Sequence, residues 1–96
     1  MKKFVAIGHW MESKNTTCVV ADANSMKDFR DDLKGNSFVA YTILSEKKLD
    51  ECKAAEDGWE LYKIVKGCTT NYRKVDEVIE YLEQCIDIIE DKLAAI

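Results

Sequence analysis

The last third of this chain constrains its fold most. From about Tyr72 to Ala94, Val75, Ile79, Leu82, Ile86, Ile89 and Leu93 recur at helical spacing, which places them on one face of a long helix with Val78 and Cys85 at its shoulder. Asp76, Glu80, Glu83, Asp87, Glu90 and Asp91 follow one flank, and Tyr81 and Ile88, a heptad apart, widen the apolar arc on the other. Most of such a helix's stability comes from packing its apolar face, so the preceding residues must supply a layer that covers it.

That layer reads as a sheet with short helices. Phe4 to Trp10 is apolar on both phases of the β alternation, as a strand covered on both faces would be. A polar interval from Met11 to Asn15 precedes Thr16 to Ala21, which regains β-branched character, so an antiparallel hairpin is the economical connection. Ser25 with Asp28 three residues on resembles a capping box. Met26, Phe29 and Leu33 then recur at helical spacing, and Gly35 fits a left-handed stop. Ser37 to Leu44 reads as a central strand, and Ser45 caps a second short helix from Glu46 to about Glu56, with Leu49, Cys52 and Ala55 or Ala54 inward.

Trp59 to Lys66 suits either a continuation of that helix through Gly58 or a strand. Its Trp, Tyr, Ile and Val content and the preceding Asp57-Gly58 favour a fourth strand. The run Glu56-Asp57-Gly58-Trp59-Glu60-Leu61 also resembles the helix-to-strand junction of certain small uncharacterised bacterial domains, a resemblance that implies no activity. The expected order is therefore β-β-α-β-α-β-α. It predicts one α+β domain over residues 1–96, with a mixed four-stranded sheet, parallel crossovers, two short helices and one long C-terminal helix. At 96 residues, with 47% hydrophobic and 33% charged, the chain has the composition of a single packed domain and no room for a second, independently folding one.

The charge is unevenly placed. Net charge is −4, yet residues 75–96 hold only Lys92 against Asp76, Glu77, Glu80, Glu83, Asp87, Glu90 and Asp91. Nucleic-acid binding over a broad surface needs clustered Lys and Arg, so direct contact with nucleic acid is not expected. Cys18, Cys52, Cys68 and Cys85 form no closely spaced pair, which disfavours a zinc site, and no cofactor signature is present. Met1 to Trp10 lacks the long apolar core and cleavage pattern of a signal peptide, and no apolar run spans a bilayer, so a cytoplasmic protein with free thiols and no membrane contact is expected.

Three constellations could carry function. The turn Gly67-Cys68-Thr69-Thr70-Asn71 with Arg73, just before the long helix, offers hydroxyls, amides and positive charge to an anion, although neither phosphate-loop pattern is present. His9, the sole histidine, could pair with the thiol of Cys18, on the neighbouring strand, or of Cys68 as base and nucleophile. The long helix itself, with Glu80, Glu83 and Asp87 beside Tyr81 and Ile88, could form a homodimer interface or meet a basic protein partner. Solvated charge, helix capping and a structural histidine are the bland readings of all three. The leading expectation is a non-enzymatic interaction or regulatory module that self-associates through the acidic helix. The alternative is a small thiol-dependent or anion-binding enzyme built on His9 and Cys68.

Overall fold

The computed structural model describes residues 1–96. The elements are β1 (Lys2–Trp10), β2 (Thr17–Ala23), α1 (Met26–Gly35), β3 (Phe38–Ser45), α2 (Glu46–Ala54), α3 (Gly58–Gly67), a 3-10 turn (Tyr72–Lys74) and α4 (Val75–Ala94). The fold is α+β, with a three-stranded antiparallel sheet in the order β2-β1-β3 and one long C-terminal helix. β2 and β3 run in the same direction, but β1 lies between them, so the helical crossover joins no adjacent parallel pair. The mixed four-stranded sheet and its parallel ladders are thereby corrected.

β1 is covered on both faces, as its two-phase apolar pattern required. Val5 and Ile7 enter the larger cluster with Leu44, Leu49, Val65, Val78, Leu82 and Ile89, beneath α2, α3 and α4. Phe4 and Ala6 enter a smaller cluster on the opposite face with Phe29, Leu33, Phe38 and Ile43, beneath α1. Successive strand side chains point to opposite faces, which is how one strand serves two cores.

The residues read as a fourth strand, Trp59–Lys66, form α3 instead. Asp57 is its N-cap, its carboxylate accepting from the Glu60 N–H at 2.9 Å, while the Glu60 carboxylate accepts from the Glu56 N–H at 3.1 Å. This is a variant of the capping box in which the Glu60 side chain holds the N–H of the residue before the cap, with Gly58 opening the helix rather than stopping the previous one. Leu61 and Val65, one turn apart, are the two buried positions, and Trp59 stacks on Tyr62 along the exposed side. A covered helical face at i and i+4 outweighs the β propensity of the individual residues. The short resemblance at Glu56–Leu61 thus marks a junction between two helices.

Two local expectations also shift. α1 is capped by Ser25, whose hydroxyl accepts from the Asp28 N–H at 3.1 Å, but Gly35 stays inside the helix and the left-handed residue is Ser37, at φ 61°. The long helix begins after the 3-10 turn and is not a straight rod, because Cys85 leaves helical geometry with φ −124° and ψ 16°. Beyond that kink, Ile89 and Leu93 return to the core and Ile88 faces outward, half exposed. Lys92 Nζ donates to the Cys18 carbonyl and Lys3 Nζ to the Leu93 carbonyl, which ties the end of α4 to the sheet. No helix is long and apolar enough to cross a membrane.

Candidate functional site

The most developed concavity lies along the outer edge of β3. β1 pairs with one side of this strand, and a bulge at the Ile7–Gly8 step shifts the register so that Ile7 faces Thr42 while Gly8 faces Ala40. On the other side, the chain leaving α3 makes a single antiparallel bridge, Thr69 to Thr42. The Thr70 N–H donates to the Tyr41 carbonyl at 3.2 Å, and the Ile43 N–H to the Cys68 carbonyl at 3.5 Å. This bridge is all that remains of a fourth strand. At Asn71 the chain turns away, its side chain capping the 3-10 turn through the Arg73 N–H at 3.3 Å.

The edge is therefore unpaired from Phe38 to Ala40. Beside it opens a cleft of about 450 Å³, within the range of ligand and peptide sites. Phe38, Ala40 and Ile43 form its floor, Arg30, Leu33 and Lys34 of α1 form one wall, Met11 and Ser37 close one end, and Cys68 and Thr70 the other. The lining is mostly apolar and contains two cations and no carboxylate. Neither Arg30 nor Lys34 takes part in the ion pairs of the fold, which join Lys48 to Glu51, Lys53 to Glu90 and Lys74 to Glu77.

The residues singled out from the sequence distribute themselves differently. His9 Nδ1 and the Tyr41 hydroxyl share a hydrogen bond at 2.5 Å, and Lys74 Nζ lies 5.3 Å above the Tyr41 ring. Cys68 instead neighbours Cys52, Lys48 and Glu51. The hydrogen bond of His9 thus goes to a tyrosine, and no thiol-imidazole contact forms. Burial pushes the Cys68 thiol above its ordinary range, with Glu51 adding to that and Lys48 opposing it, whereas an activated nucleophile needs the reverse.

The anion-binding turn is likewise spent inside the fold. The N–H groups of Cys68, Thr69 and Thr70 donate to Val65, Lys66 and Tyr41, and those of Arg73 and Lys74 to Asn71. The Thr69 hydroxyl donates to the Val65 carbonyl at 2.6 Å, so the bond between it and the Thr42 hydroxyl, also 2.6 Å, must have Thr42 as its donor. Both threonines are buried. Thr69→Val is expected to cost about 1–3 kcal/mol by orphaning the Thr42 hydroxyl, and Thr42→Val in the same chain should recover much of that loss. Denaturant midpoints of the two single variants and the double variant check this, and simple additivity would contradict the pairing.

On α4, Asp76, Glu80, Glu83, Asp87 and Asp91 are exposed, while Glu77 and Glu90 are half-buried and answered by Lys74 and Lys53. Tyr81 leans inward. Burial, followed by hydrogen bonding to Cys18, holds its phenol well above the usual range. No cluster of His, Cys, Asp or Glu is placed to hold a metal ion.

No protein-family model, no curated protein and no solved structure matches the chain.

The buried thiols set an alkaline limit on stability. Cys52 is pushed up to about 11, first by burial, then by the Cys68 and Glu51 charges against an opposing Lys48. The folded chain holds this proton where the unfolded chain releases it near 9.0, so stability is intact below pH 9 and falls as pH rises toward about 11. Urea midpoints across that window should decline. At pH 7, iodoacetamide should modify Cys68 more slowly than a free thiol.

Nothing in the sequence alone marks the cleft residues Arg30 and Lys34 as functional. Arg30 and Lys34 stand one helical turn apart beside the inward Leu33, a legible pair of exposed cations, but nothing local announces that β3 leaves its edge open there.

Proposed function

We propose that this chain is a non-enzymatic protein-interaction module that receives its partner along the open edge of β3. The observation that carries the reading is the unpaired backbone at Phe38–Ala40 beside an apolar cleft. An unpaired strand edge that lines a cleft offers donors and acceptors to an incoming strand, and such edges are normally shielded or used. The four reduced cysteines fit a reducing compartment such as the cytoplasm, and that location is part of the same proposal.

The acidic helix supports self-association less well. Its exposed carboxylates would face their own kind across a two-fold axis, and Tyr81 is turned toward the core. Ile88, 50% exposed on α4, is the one feature that favours a homodimer there. A dimer in sedimentation that Ile88→Glu converts to monomer would move the interface to α4. The enzyme alternative is weakened by the hydrogen bond of His9 to Tyr41 and by the raised thiol of Cys68.

Cys68 lines the cleft and so reports on its occupancy. A capped pentapeptide alternating valine with serine, added at millimolar concentration at pH 9, should slow alkylation of Cys68 and leave Cys85 unaffected. Equal rates with and without this peptide, and with its acidic counterpart, would overturn the docking reading.

A further inference from the structure

The two cations on the α1 wall specify the chemistry of the partner. We infer that the cleft takes an extended peptide segment, paired antiparallel to β3, that presents a carboxylate side chain on the side facing α1. This rests on the reading of the β3 edge as the docking site, and adds to it the direction and the charge of the occupant.

The direction comes from the molecule's own use of this edge. Thr69 and Thr70 already run antiparallel along it at Thr42 and Tyr41, and the line is abandoned only where Asn71 turns the chain away. An incoming segment that continues the same line lies against Phe38–Ala40 and extends the sheet with the antiparallel geometry that every other pair in it uses. Alternate side chains of that segment then point into the cleft and alternate ones point away.

The charge comes from Arg30 and Lys34. Both are exposed at the rim, both lack an acidic partner in the fold, and the floor below them is apolar. A glutamate at a cleft-facing position lays its methylenes on that floor and brings its carboxylate to the rim. There an arginine can hold it with two parallel hydrogen bonds. A lysine at the same position would meet like charge. The chain's net charge of −4 opposes an acidic ligand at long range, so the preference is local to this wall and is expected to weaken as salt rises.

The test uses three fluorescently labelled, capped pentapeptides that alternate valine with glutamate, serine or lysine, titrated with the intact chain at low and physiological salt. The glutamate peptide should bind about tenfold more tightly than the serine peptide, a difference of about 1.4 kcal/mol, and the lysine peptide most weakly. Arg30→Glu combined with Lys34→Glu should invert the order of the glutamate and lysine peptides. Both sites are exposed, and an unchanged circular dichroism spectrum and melting temperature would verify that the variant folds. Equal binding of the glutamate and serine peptides, or an order that the double variant leaves unchanged, would overturn the charge assignment and leave the docking reading standing. Failure of all three to bind would overturn both.

Discussion

Replacing Gly8 with alanine is expected to destabilise the fold by about 3 kcal/mol, the upper end of the usual cost of overpacking. The added methyl group would overlap the Val39 carbonyl oxygen and lie 2.9 Å from the Val39 carbonyl carbon and 3.0 Å from Ala40 Cα, all backbone atoms that no rotamer change can move aside. Gly8 sits at the bulge between β1 and β3 and faces Ala40, so relief requires the strands to separate beside the Phe38–Ala40 edge. For a chain of 96 residues each kcal/mol moves the melting temperature by roughly 4–8 °C, which makes the loss plain in a thermal melt. Gly35, Gly58 and Gly67 meet open space, so alanine there carries no such steric cost and serves as the comparison. A Gly8→Ala melt within a few degrees of wild type would contradict the tight approach.

Phe29→Ala is expected to cost about 3–5 kcal/mol and to act unevenly across the molecule. Phe29 is fully buried, stacks on Phe4 with ring centroids 5.5 Å apart, and with Leu33 supplies the buried side of α1. The cluster it belongs to holds 7 buried residues, against 14 on the opposite face of the sheet. The smaller cluster has less to lose before α1 detaches, and α1 carries the cation wall of the cleft. Amide exchange should accelerate over Met26–Gly35 well before it does in α4, as expected for a local opening. Equal acceleration in both helices would show that the two faces unfold as one unit.

Much of the fold was legible because its signals are local. Ser25 and Ser45 cap α1 and α2 as their spacing indicates, and the two-phase apolar pattern of β1 matches its burial on both faces. α3 was misread although Asp57 and Glu60 stand at capping-box spacing, because aromatic and β-branched residues favour strands when their neighbours are unknown. The long helix was legible in its apolar spacing but not in its kink. A strict period places Tyr81 and Ile88 together, whereas the turn at Cys85 leaves one against Cys18 and the other outside.

The candidate site was less legible than the fold. His9 and Cys68 stand out by residue type alone, and the backbone sends one to Tyr41 and the other to the end of the cleft. The cleft itself draws on Met11, α1, β3 and the Cys68–Thr70 bridge, four segments that only the folded chain assembles. Its defining feature is a hydrogen-bond ladder that stops after one bridge, and no residue pattern encodes where a ladder stops.

Backbone amide exchange, measured with and without a saturating amount of the valine–glutamate peptide, tests the docking claim most directly. The account predicts that protection rises over residues 38–40 of β3 and over 30–34 of α1, with α4 unchanged. Protection that instead appears along residues 76–91 of α4, or nowhere, would contradict it.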